Sequence, residues 1–172
     1  NGQGLRQMMI TIKREGDEWL PEIDRSPEIV RECKLSGAEI LERIKQAGIV
    51  GMGGASFPSH VKFAIPNGCK AEFLIINGVE CEPGLLHDRW LLENHWDGIR
   101  SGIEALQEAI GFDRCILAYS MSRKQHKSKQ KQESFEICHV PSRYPMGEER
   151  CLIRQVLGKE IGKEEYPAEQ GI

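Results

Sequence analysis

The sequence predicts an α/β protein: a Rossmann-like layered sheet with helices on its faces, a glycine-rich loop that follows a helix, and a short N-terminal β hairpin. Two apolar runs of strand length, "EFLIING" from Glu72 and "RCILAYS" from Arg114, read as strands buried on both faces. Between them, "DRWLLENHWDGIRSGIEALQEAIG" sets Leu91, Leu92, Ile99, Ile103, Leu106 and Ile110 at helical spacing, as one or two helices. Strands that alternate with helices form a sheet covered on its faces.

Taken in order, "MMITIKREGDEWLPEI" reads as two short strands around a turn at Glu15-Gly16-Asp17, with Ile10, Ile12, Trp19 and Ile23 as its apolar positions. "SGAEILERIKQAG" opens with Ser36 and carries Glu39 three residues on, the pattern of a capping box, and Gly48 closes the helix in the C′ position. The glycine loop follows at once, and Pro58 fits the first turn of a short helix through Phe63. After the two apolar strands, "SFEICHV" alternates as a third, and "GEERCLIRQVLG" is a helix with acids in its first turn. There is no internal repeat.

A chain of 172 residues suits one domain with a small appendage. No apolar run approaches the length of a membrane span, and a formal charge of −3 gives no bulk reason to expect nucleic acid as a partner. The basic stretch "SRKQHKSKQKQ" has no interleaved aromatic and reads as a solvated helix or loop. The six cysteines (Cys33, Cys69, Cys81, Cys115, Cys138, Cys151) form no C-x-x-C pair and lack the close spacing of zinc or iron–sulfur ligands. Their pattern predicts a reduced, cytoplasmic setting and no metal site.

Three stretches carry candidate chemistry. In "GIVGMGGASFPSHVK" the glycines Gly48, Gly51, Gly53 and Gly54 follow a helix, which fits no dinucleotide fingerprint, and Gly54-Ala55-Ser56 stands where a Walker loop needs G-K-[ST]. What remains is a set of backbone N–H groups with Lys62 one turn further on, suited to a phosphate or to a structural loop. In "INGVECEPG" a strand delivers Asn77, then Glu80 and Glu82, to the carboxyl end of the sheet, where open α/β sheets bind ligands; the alternative is a hydrated loop. In "YPMGEER" the acids Glu148 and Glu149 at a helix N-terminus are explained by the macrodipole alone.

Together and in this order, "GMGGASFPSHVK", "NGVECEPG" and "YPMGEE" resemble the flavin and NADH site of the flavin-bearing subunit of respiratory NADH dehydrogenases, and more closely the C subunit of Rnf-type electron-transport complexes. The resemblance runs from about Ile40 onward. It implies that Gly51, Gly53, Gly54 and Lys62 surround the FMN phosphate and that Phe57 faces the NADH rings. It further implies that Asn77 bonds the flavin, that Glu80 and Glu82 lie beside flavin and nucleotide, and that Tyr144, Gly147, Glu148 and Glu149 close the other side. The sequence departs from the respiratory subunits at Met52, where they carry arginine, at Ser56 and His60, where they carry glycine, and at Val79, where they carry aspartate.

The resemblance implies hydride transfer from NADH to FMN, with electrons passing onward to iron–sulfur clusters outside this segment and no side chain needed as catalytic acid or base. It implies partners among the other subunits of a membrane-associated complex, and a cytoplasmic, peripheral location without a span of its own. A docking or scaffold module that keeps the fold without a working flavin site is the alternative. Residues 1–35 are expected to be an N-terminal β segment, part of a larger element, and residues 36–172 an FMN/NADH-binding α/β domain. The start at Asn1 and the stop at "PAEQGI", before the family's next strand and its asparagine-rich turn, suggest an excised piece.

Overall fold

The computed structural model describes residues 10–23, 25–26, 34–52, 55–82, 84–120 and 134–172. Gly53, Gly54, Cys33 and the whole basic stretch lie outside the described residues. The chain divides into two units, residues 1–30 and residues 31–172.

In the first unit the expected hairpin is absent from the described residues. Residues 10–20 hold no strand, although the chain bends at Gly16 and Asp17, where Gly16 takes a φ of +78°. Ile10, Ile12 and Trp19 are all exposed. A two-stranded ribbon is marginal in water unless one face packs on something, and these side chains have no core beneath them.

The second unit is the α/β body. Helix α1 (Gly37–Gln46) has the predicted capping box: the Ser36 amide donates to Glu39 Oε2 at 2.9 Å, and the Ser36 hydroxyl accepts from the Glu39 amide. Gly48, at φ +64°, turns the chain out of the helix. Helix α2 (Ser59–Lys62) follows the glycine loop, with Pro58 as its N-cap rather than inside its first turn. Strand β1 (Phe73–Gly78) leads to α3 (His87–Asn94) and α4 (Trp96–Ile110). Then come β2 (Arg114–Tyr119), β3 (Glu136–His139), α5 (Glu149–Leu157) and a 3₁₀ turn, Pro167–Gln170.

The three strands are parallel in the order β1-β2-β3, with Gly78 opposite Tyr119 and Tyr119 opposite His139. Central β2 explains why its sequence is apolar throughout: Cys115 to Tyr119 are each no more than 3% exposed. Leu74, Cys115, Leu117 and Tyr119 pack with Leu92 of α3 and Ile103 of α4. Ala118, Val79, Val140 and Met146 pack with Leu152 of α5. Helices therefore cover both faces, and each fully buried aliphatic side chain contributes about 1.5–3 kcal/mol.

The amino end of the sheet is closed by polar contacts. Arg114 of β2 makes a two-pronged bond to Glu136 of β3 at 2.7 and 2.8 Å, and the Gly171 carbonyl accepts from the Glu72 and Phe73 amides at 2.9 and 2.8 Å. The carboxyl end is left for the loops. No helix among the described residues is long and apolar enough to cross a membrane.

Candidate functional site

All three strands deliver their following residues to one side. Beyond Gly78, Tyr119 and His139, the loops enclose a cleft of about 430 Å³. Glu80, Glu82 and Leu85 line it from the segment after β1, Ser120 from the segment after β2, and Ser142, Arg143 and Tyr144 from the segment after β3. An open parallel sheet presents its ligand site here because successive loops diverge as they leave the strands.

Against Cys81 of the lining, two sequence motifs cross. The Asn77 amide group donates to the Gly147 carbonyl at 2.9 Å, and its side-chain oxygen accepts from the Val79 amide at 3.1 Å. The two chain segments approach so closely that a Cβ at position 147 would lie 2.5 Å from the Val79 carbonyl oxygen and 2.6 Å from the Cys81 sulfur. Val79, 2% exposed, fills the gap between Ala118, Met146 and Leu152. An aspartate side chain there would lose its water against apolar neighbours, so this packing accounts for the apolar residue.

Two carboxylates at this end cap helices. Glu80 Oε1 accepts from the amides of Asp88 and Arg89 at 2.8 and 3.2 Å, supplying α3 with the N-terminal acceptor that Leu86 cannot. Glu80 Oε2 is buried without a hydrogen bond, 3.9 Å from His87 Nε2. Desolvation first, and then the Glu80 charge, push the neighbouring Asp88 carboxyl above its ordinary pKa, against the opposing pull of His87. Glu148 caps α5, accepting from the Cys151 amide at 2.9 Å. Burial acts to raise its pKa, but the amides of Cys151 and Arg150, the Cys151 thiol and the Arg150 charge outweigh it and hold the carboxyl below the ordinary value. Glu82 and the 72%-exposed Tyr144, by contrast, face the cleft with side chains that make no hydrogen bond among the described residues.

The glycine loop stands apart from the cleft lining. Gly51 donates to the Phe57 carbonyl at 2.8 Å and Ser59 to the Ile49 carbonyl at 3.0 Å, which pinches its two ends together. Ser56 sits in the left-handed region at φ +50°. Met52 is 95% exposed, and Phe57 is also exposed. The amides of Met52, Ala55, Ser56 and Phe57 donate to no protein acceptor among the described residues. Lys62 Nζ, one turn on, meets Glu149 Oε1 at 2.7 Å, so α2 is tied to the start of α5.

Comparison with known proteins matches residues 44–172 to the family model described as the Nuo51 FMN-binding domain. This chain belongs to that family. It is 36% identical, over 99% of its length, to the C subunit of the proton-translocating ferredoxin:NAD(+) oxidoreductase complex of Clostridium ljungdahlii, covering 37% of that protein. It is 34% identical over its whole length to the C subunit of the ion-translocating oxidoreductase complex of Rhodobacter capsulatus, covering 34% of it. The chain thus spans about a third of these relatives. Among solved structures, an NAD+-reducing [NiFe]-hydrogenase in the H2-reduced state superposes with a TM-score of 0.66 at 29% identity, over 79% of this chain and 27% of that one.

The donor set of this Nuo51-type domain fits FMN. Loop amides that no protein acceptor claims suit a phosphate, and the exposed Phe57 ring in the same loop suits a flat ring system. Of the residues singled out in the sequence, Glu80, Glu82 and Tyr144 line the cleft. Asn77 and Gly147 meet at the crossing and Glu148 caps α5, while Gly51, Phe57, Lys62 and Glu149 lie on the glycine-loop side. Ser120, Ser142, Arg143 and Arg89 also line the cleft, and sequence reasoning did not find them. The signal was available for three of them: each stands just beyond a strand's carboxyl end.

Proposed function

We propose that this domain binds FMN and a nicotinamide nucleotide and serves as the NADH-oxidising station of an ion-translocating oxidoreductase complex. The observation that carries the reading is the convergence of three separated motifs: Lys62 joins the first to the third through Glu149, and Asn77 joins the second to the third through Gly147. In this reading the loop amides between Gly51 and Phe57 and the Lys62 ammonium hold the flavin phosphate, with Phe57 beside the nucleotide rings. Asn77 holds the flavin edge, and Glu82 and Tyr144 face the nucleotide from the cleft. A flavin held here would supply two-electron chemistry toward the nucleotide and one-electron chemistry toward the rest of the complex. The chain's own residues place the two ring systems and exclude water, so none need act as acid or base. Electrons leave toward iron–sulfur carriers elsewhere in the complex, on the cytoplasmic face of the membrane. The names of the relatives, subunits of ferredoxin:NAD(+) and ion-translocating oxidoreductases, support this assignment.

The test is flavin retention. The purified chain with added FMN should carry flavin absorbance through gel filtration, and riboflavin, which lacks the phosphate, should be lost. Lys62→Gln should weaken FMN binding about tenfold while leaving riboflavin unchanged, as expected for one charge-assisted contact. Equal affinity for FMN and riboflavin would overturn the phosphate assignment, and no flavin retention at all would favour a docking module.

A further inference from the structure

The cleft has two chemically different walls. On the β1 side, Glu82 presents a carboxylate in front of the helix-capping Glu80, and the nearby Arg89 is committed to α3, its Nε meeting Glu93 Oε1 at 2.8 Å. On the β3 side stands Arg143, an exposed cation whose guanidinium meets no carboxylate within ion-pair distance among the described residues. The hydroxyls of Ser142 beside it and of Ser120, directly after the buried Tyr119, make no hydrogen bond to the protein among the described residues. The backbone carrying Arg143 is fixed: its amide donates to the Pro141 carbonyl at 3.1 Å, and its carbonyl accepts at 2.8 Å from the amide of Met146, which is 5% exposed in the core.

We propose that Arg143, with the Ser142 and Ser120 hydroxyls, is an anion anchor that takes the diphosphate of a dinucleotide lying across the cleft. The inference rests on the nucleotide-binding reading above and adds a residue to it. A planar guanidinium on a pinned turn offers a forked donor matched to phosphate oxygens. The opposite wall selects what flanks that phosphate. The charges of Glu80 and Glu82 repel a polyacidic ligand, whereas ribose hydroxyls, which are donors, find an acceptor in the exposed Glu82 carboxylate. A diphosphate bracketed by sugars has this pattern of charge; an acidic peptide or a bare polyphosphate does not.

The experiment titrates the whole chain, by calorimetry, with ADP-ribose, which has the diphosphate and both sugars but no reactive ring, and separately with inorganic pyrophosphate. Arg143→Gln should weaken ADP-ribose about tenfold or more, with Arg143→Lys intermediate, and should abolish most of the salt dependence of binding. FMN affinity and the urea midpoint should stay unchanged, because the side chain holds nothing else in place. Wild type and Arg143→Gln binding ADP-ribose equally would overturn the anchor while leaving the flavin reading intact, and so would a wild type that responds to neither probe. A wild type that retains no flavin but binds ADP-ribose, with that binding lost in Arg143→Gln, would keep the anchor and sink the flavin reading, and pyrophosphate bound as tightly as ADP-ribose would overturn the selection by the acidic wall.

Discussion

The two sides of the candidate site are built on opposite principles. At the crossing of the second and third motifs, Asn77, Val79, Met146 and Gly147 are interlocked, with hydrogen bonds made and space filled. In the glycine loop, side chains point into water and four amides have no acceptor among the described residues. A polar residue in a tight crossing has its bonding capacity consumed by the fold, so it shapes a ligand site from behind. A loop with open donors leaves its bonds for a ligand to complete. On the proposed reading, a bound flavin phosphate should protect the amides of Met52, Ala55, Ser56 and Phe57 from hydrogen exchange and change the crossing little.

The sharpest way to break this contrast is Gly147→Ala. With a backbone oxygen 2.5 Å from the added carbon, the crossing must spread, and the expected loss is about 1–3 kcal/mol in urea unfolding, the usual cost of overpacking. Gly51→Ala, whose added carbon would meet only ordinary contacts at 3.7 Å, should lose far less. Equal losses would show that the crossing is as yielding as the loop.

A smaller effect is expected from Glu80→Ala, which removes the acceptor for two α3 amides and should cost about 1 kcal/mol, the typical worth of a helix cap. Hydrogen exchange at Asp88 and Arg89 should speed up while the affinity of the loop for FMN stays the same. Faster exchange without any change in stability would mean that the cap orders α3 locally and nothing more. A fall in FMN affinity as large as that of Lys62→Gln would show that the two sides are not separable.

The smallest effect is in pH dependence, where two acids at the starts of α3 and α5 act with opposite sign. Glu148 is held below its ordinary value of 4.5, so its contribution is complete above that value and is lost as pH falls through the depressed pKa. Asp88 is raised above 3.8, so its charge costs stability as pH rises from that value through the raised pKa. Glu148→Gln should flatten the acid limb of the stability curve, and Asp88→Asn should remove a decline on the other side of it. Identical curves for both variants and the parent would show that neither helix start is electrostatically tuned.

Much of this was legible in the sequence, and the remainder was hidden for definable reasons. β2 was evident because a central parallel strand must be apolar on both faces; β1 read the same way, but among the described residues it is an edge strand in which only Leu74 is buried. The Ser36–Glu39 box marked α1 because a capping signal is local. The role of Glu148 was also local, an acid three residues before the amide it accepts from. Glu80 reads as a ligand because the amides it caps lie eight and nine residues on, across a loop whose path no pattern gives. The partner of Asn77 lies 70 residues away. The hairpin failed for the converse reason: alternation in "MMITIK" and "DEWLPEI" announces a face but cannot say whether anything lies beneath it.

The packing of Gly147 against Cys81 has a further consequence, for reactivity. An exposed cysteine at the lip of a cleft is ordinarily where alkylating agents and peroxide act first, because the thiolate is the species that reacts. Around Cys81, desolvation and then the negative charges of Asp88, Glu82, Glu80 and Glu148 all favour the protonated thiol. The same carboxylates that cap two helices and edge the cleft thus also favour the protonated, slower-reacting form of the sulfur at its rim.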